Sequence, residues 1–192
     1  MLEQGPILSF SDRTKWRAWL AEHFKSESQA WLVFPMKEAG EPCISYNDAV
    51  EEALCFGWID STIKPLDALH RIQRFTPRHP GSTISRANIE RLIWLQGQGL
   101  VHPQVLSEVQ GIISAPYEAP EDIMKAIKED PEAWNNLAAF PDPYKRIRIA
   151  YIDAARKRPL EFQRRLQSFI ARTHENKLIE GYGGISKHYQ AE

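Results

Sequence analysis

Hydrophobic residues recur along this chain with two different periods, and each period predicts a different element. After Ser11, the residues Trp16, Trp19, Leu20, His23 and Phe24 fall three and four apart, the stripe of an amphipathic helix capped by Ser11 or Asp12. A second stripe, Tyr46, Ala49, Val50, Ala53 and Leu54, opens after Ser45 and stops at Gly57. Between the two, Ala30 to Met36 is a short run of strand formers. Its Pro35 cannot donate to a ladder and so belongs at a strand end or an edge. Trp58 to Lys64 and His70 to Thr76 alternate about a turn at Pro65 to Ala68, which predicts an antiparallel hairpin.

Downstream the period is helical throughout. Ser82 or Ser85 caps a helix carrying Ile89, Leu92, Ile93 and Leu95, which stops near Gly97, and Val101 to Val109 forms a shorter one. Gly111 to Pro120 is a proline-bearing connector. Four further helices are predicted over Glu121 to Lys128, Pro131 to Phe140, Pro143 to Arg158, and Pro159 to about His174, the last three opened by proline. The expected fold is α+β and mainly helical, with a small antiparallel three-stranded sheet over 30–36, 58–64 and 70–76 and a C-terminal helical part. We expect a single domain over 1–192, its sheet-containing part at 8–112 and its helical part at 120–175. The segment 180–192, with glycines at 181, 183 and 184, is expected to be a flexible tail.

Composition alters this picture little. A net charge of -1 predicts neither nucleic acid nor an acidic membrane as a partner. The charges are nevertheless laid out in blocks: 107–142 holds eight acidic and two basic residues, and 143–192 holds five acidic and eleven basic ones. Such blocks read first as helix faces that meet one another or face water. Cys43 and Cys55 have neither the spacing of a zinc site nor that of a disulfide framework, so no metal is expected. The N-terminus lacks the pattern of a leader, and no window approaches 18 uninterrupted apolar residues; the expected location is the cytoplasm.

The candidate chemistry lies on the predicted hairpin. Asp60 stands beside Trp58, and the return strand supplies His70, Arg71 and Arg74, with Arg78 just beyond it. A hairpin centred on Pro65 to Ala68 sets Asp60 opposite Gln73 and diagonal to Arg71. Ser82, Ser85 and Asn88, at the start of the next helix, could close a polar pocket that suits an anion. The same residues also have purely structural readings: an Asp–Arg pair fixes strand register, and the serines and asparagine shape a helix start. His70 and His79 lack a second metal ligand at suitable spacing. Ser61, His70 and Asp60 lack the strand-turn-helix elbow of a nucleophilic serine.

The central stretch resembles the bacterial YdeI/OmpD-associated family. The resemblance is carried by Ala53 to Ser61, matching an Ala-Leu-Cys-x-Gly-Trp-Ile-Asp-Ser step, and by Gln73 to Arg78, matching a Gln-Arg-Phe-Thr-Pro-Arg step; it extends more weakly from about Phe10 to Arg172. Two departures stand out: Ile84-Ser85 replaces a Trp-Ser before Asn88, and Leu160-Glu161 replaces a Thr-Arg near the final helix. The resemblance implies a small bacterial protein without a cofactor, associated in some members with bacteriocin protection. Three functions are therefore carried forward. The first is a non-catalytic binding or stress-protection protein with a pocket around Trp58, Asp60, Arg71, Arg74, Arg78, Ser85 and Asn88. The second is an enzyme on a small anionic substrate, with Asp60 as acid/base and the arginines as clamp. The third is nucleic-acid or protein binding through the basic helices of 145–172.

Overall fold

A computed structural model describes residues 5–79 and 81–181 of the chain. These fall into two units, one made of 1–83 with 95–110 and the other of 84–94 with 111–192. The predicted tail beyond Gly181 lies outside the described residues.

In the first unit the chain runs through β1 (Ile7–Leu8), α1 (Arg13–His23), β2 (Ala30–Pro35), α2 (Tyr46–Cys55), β3 (Trp58–Pro65) and β4 (His70–Pro77). The later part of α3 (Arg86–Gly97) and most of α4 (Pro103–Ile113) also belong to it. The strands form one sheet in the order β1-β2-β4-β3. The three expected strands are present, but the sheet has four and is mixed, because Ile7 and Leu8 pair in parallel with Trp31 and Leu32. Two residues are too few to show an alternating period, which is why β1 was not legible.

Local chemistry explains where the elements begin and end. Asp12, not Ser11, caps α1, accepting from the amides of Thr14 and Lys15 at 3.0 and 3.2 Å. The Thr14 hydroxyl and these amides hold the Asp12 carboxyl down at about 2. Ser45 caps α2 by accepting from the Asp48 amide at 3.1 Å. Past the end of α2, Gly57 has a φ of +73°, the left-handed conformation of a helix C′ residue, and a Cβ there would sit 3.3 Å from Val105. The β3–β4 turn is tied by Asp67, whose Oδ1 accepts from the Leu69 and His70 amides at 2.8 and 3.0 Å.

One face of the sheet lies in the core, where Ala30, Leu32, Trp58 and Phe75 are all but inaccessible. Trp16 meets Phe75 edge-on at 5.6 Å and donates its indole N–H to the Ala49 carbonyl at 3.0 Å. Trp19 stacks on Trp16 at 5.2 Å and meets Trp58 edge-on at 5.9 Å. Of the stripe read from the sequence, Trp16 and Leu20 are core, with the Trp16 indole N–H satisfied, and Trp19, His23 and Phe24 are half-buried beside them.

Two charges are buried with that stripe. Glu51 and Glu52 on α2 are 0% and 2% exposed. Glu52 takes a hydrogen bond from Arg13 Nε at 2.6 Å and another from Arg17 at 2.7 Å. Arg17 also donates to the Leu100 carbonyl at 2.7 Å and lies over the Phe56 ring at 5.2 Å. Nearby Cys55 is walled from water, which pushes its thiol up to about 12 and leaves it unreactive at neutral pH.

The second unit holds α5 (Glu121–Lys128), α6 (Pro131–Ala139), α7 (Asp142–Asp153) and α8 (Pro159–His174), together with the first part of α3. Ile123, Ile127, Leu137, Tyr144, Ile149, Ile152 and Phe169 form its core. Helix α7 stops at Asp153 and not at Arg158 as the period suggests. Pro159 disfavours helical geometry at the residue before it, and Arg158 is accordingly non-helical, with φ and ψ of -128° and 82°. A buried glutamate recurs here: Glu90 is 3% exposed and accepts from Arg86 and, in two-pronged fashion, from Arg146 at 2.6 and 2.9 Å.

Removing a buried carboxylate that two guanidinium groups share strands their charges in the protein. Glu52→Ala is therefore expected to cost about 3 kcal/mol, at the low end for such pairs because both arginines retain some access to water. Urea unfolding reads this as a lower midpoint. A midpoint like that of the unsubstituted chain would show that the clamp contributes nothing.

Candidate functional site

The hairpin carries an irregularity that decides which predicted site residues share a face. Trp58, Ile59 and Asp60 pair with Pro77, Thr76 and Phe75, whereas Ile63, Lys64 and Pro65 pair with Gln73, Ile72 and Arg71. Ser61 and Thr62 together therefore occupy the rung facing Arg74, which is a β-bulge. This corrects the expected register: Asp60 lies opposite Phe75 and not Gln73. The extra residue also brings Ile63 onto the face of Asp60, where the unbroken alternation would have placed Thr62.

Arg71 and Arg74 then point to opposite sides of the sheet. Arg71 shares the face of Gln73 and Phe75, while Arg74 lies on the other face and donates from Nε to the Ser61 hydroxyl at 3.2 Å. Asp60 pairs with neither arginine. It accepts from the Tyr46 hydroxyl at 2.6 Å, a contact from the first turn of α2 that periodicity along the hairpin cannot reveal. Trp58 is 1% exposed, and its indole N–H is spent on the Phe24 carbonyl at 3.1 Å. Arg78 turns to its own loop, donating to the Ser82 carbonyl at 2.9 Å and to its hydroxyl at 3.3 Å. Ser85 and Asn88 belong to the second unit, where the Ser85 hydroxyl accepts from the Asn88 amide and the Asn88 side chain accepts from Arg91.

Of the seven expected site residues, the face carrying Asp60 and Arg71 borders an open hollow of about 630 Å³. Its wall is formed by Phe34, Pro35, Met36, Tyr46, Ile63, Arg71 and Gln73, with Lys37 and Glu38 also lining it. Phe34 lies across the ladder from Arg71 and meets Tyr46 edge-on at 6.3 Å. Gln73 at the floor is 5% exposed and donates to the Ser61 carbonyl at 3.2 Å. Among the described residues, no carboxylate lies within 4.0 Å of the Arg71 guanidinium. The hollow therefore presents a cation beside two aromatic rings. Phe34 and Tyr46 were absent from the candidate set because their route to the site runs across strands and from a helix.

At the far end of the hairpin, His70 sits between Asp67, with Nδ1 to Oδ1 at 2.8 Å, and Glu41, with Nε2 to Oε1 at 3.2 Å. The Asp67 carboxylate, and more weakly Glu41, raise the His70 pKa above its usual 6.5. No group of three His, Cys, Asp or Glu residues among the described residues is placed to hold a metal ion.

The basic residues of 145–172 are largely engaged. Lys145 pairs with Asp142 and Arg146 with Glu90, at 2.6 Å in both cases. Arg156 pairs with Asp122 at 2.8 Å and also with Asp153. Arg164 and Arg165 share Glu161, each at 2.7 Å. Glu161 is one of the residues at which the sequence departs from the family pattern described above.

Comparisons with known proteins divide along the chain. The model of a domain of unknown function, DUF8412, matches residues 8–108, just over half of the sequence. The model described as "Bacteriocin-protection, YdeI or OmpD-Associated" matches residues 116–176, about a third of it. The motifs at 53–61 and 73–78 thus fall within the first match. Neither the curated proteins nor the solved structures give a match to this chain.

A histidine whose proton is stabilised in the folded state adds stability below its unfolded pKa of about 6.5, and loses that contribution as pH rises through the elevated folded value. The His70 ring, followed by NMR, is expected to titrate above 6.5 and to move down in Asp67→Asn. Identical titrations in both proteins would show that the pair does not form in solution.

Proposed function

We propose, for a chain that belongs to the family of the domain of unknown function DUF8412, that its first unit binds a small anion bearing a flat or apolar group. The site is the hollow walled by Phe34, Tyr46 and Arg71. The observation that carries this reading is that Arg71 borders an aromatic hollow without a carboxylate partner among the described residues, while Asp60 is turned to Tyr46. A guanidinium in that position offers planar, two-pronged recognition of a carboxylate or phosphate. Phe34 and Tyr46 supply ring faces and edges for the remainder of the ligand, and the charges of Lys37 and Glu38 offset one another, which leaves Arg71 as the net charge of the hollow. A volume of about 630 Å³ suits a ligand of small-metabolite size.

Asp60 has an orienting role in this reading, since its hold on the Tyr46 hydroxyl fixes the ring that closes one side. Retaining a ligand, not turning it over, is also what a protective protein requires, and bacteriocin protection is named in the description of the model matching 116–176. The pairing of Lys145, Arg146, Arg156, Arg164 and Arg165 supports a small-molecule partner over a nucleic-acid backbone. We place the protein in the cytoplasm, without a cofactor.

Thermal-shift titration against aromatic carboxylates, nucleoside monophosphates and sugar phosphates tests the proposal. At least one class is expected to stabilise the chain, with apparent affinity falling at least about tenfold in Arg71→Ala, the scale of one lost charge-assisted hydrogen bond. Arg74→Ala, on the opposite face, is expected to bind normally. No stabilisation by any class, or equal losses in the two variants, would overturn the assignment.

A further inference from the structure

The second unit contains a pocket of another kind. It is a recess of about 230 Å³ walled by Arg148, Tyr151 and Ile152 of α7, by Arg164, Arg165, Ser168 and Phe169 of α8, and by Ile179. Its apolar surfaces are Phe169, Ile152 and Ile179, and the first two belong to the unit's core. Its polar groups are mostly guanidinium.

Arg148 is the unusual one. It is 4% exposed, yet no carboxylate lies within 4.0 Å of it among the described residues. One of its terminal nitrogens donates to the Ile179 carbonyl, and its guanidinium carbon lies 5.6 Å from the centre of the Tyr144 ring. Both neighbours are neutral. Its Nε is buried without a hydrogen-bond partner. By contrast, the comparably buried carboxylates Glu52 and Glu90 are each held by two arginines. A full charge withdrawn from water without a counter-charge is strongly disfavoured unless a partner supplies one.

The rest of the wall does not provide it. Arg165 donates to Glu161 at 2.7 Å and to the Tyr151 carbonyl at 2.6 Å, and its guanidinium lies 3.6 Å from the centre of the Tyr151 ring. Glu161 is shared by Arg164 as well, so one carboxylate faces two guanidinium groups. With Arg148, the pocket wall has three positive charges and one adjacent negative charge, an excess of two.

We propose that this recess binds a small carboxylate with a short apolar or aromatic tail. The carboxylate sits at Arg148 and the tail lies on Phe169 and Ile152. The apolar floor favours such a ligand over a bare inorganic ion, which would leave that surface wet. Ser168, at the rim on α8, offers a hydroxyl to the second carboxylate oxygen. This site is independent of the one proposed for the first unit, and the two can fail separately.

Calorimetric titration of the full chain with benzoate, butyrate and inorganic phosphate tests it. Saturable binding of benzoate or butyrate is expected, weakened at least about tenfold in Arg148→Gln. Ser168→Phe fills the recess while keeping arginine at 148 and is expected to abolish binding while leaving the thermal midpoint unchanged, so the result survives if Arg148→Gln does not fold. Arg71→Ala is expected to bind benzoate as the unsubstituted chain does. Absence of saturable binding by either carboxylate, tighter binding of phosphate, or unimpaired binding in Ser168→Phe would each overturn the proposal.

Discussion

A carboxylate with almost no access to water, Glu52, fixes how α1 is mounted in the first unit. Arg13 and Arg17, one helical turn apart, grip it from α1, and Arg17 extends the grip to the Leu100 carbonyl. The direction of α1 determines where Trp16 and Trp19 reach, and hence how the core face of the sheet is sealed. Apolar packing alone would tolerate a rotated helix; a buried ion pair does not, since any rotation strands charge. Glu90 shows the same device in the second unit, held by Arg86 and Arg146. Each glutamate has one apolar and one charged neighbour in sequence, as Glu-Glu-Ala-Leu and Ile-Glu-Arg-Leu.

Period and punctuation made most of the architecture legible. Every predicted helix is present, with serine, aspartate or proline at its start, because these signals are local and were read locally. What escaped depended on contacts distant along the chain. Strand β1 exists only through its pairing with β2. The burial of Glu51 and Glu52 could not be read from α2 by itself, where acidic residues count as the wet face, although Arg13 and Arg17 at helical spacing were a visible complement.

The site was legible only in part, for a similar reason. Arg71 and Arg74 differ by an odd number of residues on one strand, so parity alone separates them, and that signal was available. The bulge at Ser61 and Thr62 was not, because nothing in their side chains distinguishes a doubled rung from a regular one. The partner of Asp60 comes from a helix fourteen residues earlier. The hydrogen bonds of the hairpin therefore had to be seen before the hollow beside Arg71 could be separated from the polar residues on the reverse side.

That doubled rung also constrains how this stretch can change over time. Upstream of it, a lost or gained residue would be felt at Trp58 and the helix terminus; downstream, the strand reads in the opposite phase. A single deletion at position 61 or 62 would restore an uninterrupted pleat and leave Ile63 and Pro65 on the side of Asp60, whereas a deletion elsewhere in the strand has no spare residue to absorb it. The doubled rung is thus the place in this strand where a residue can be lost without exchanging the two surfaces, and an aligner that sets a gap there still pairs residues of the same side.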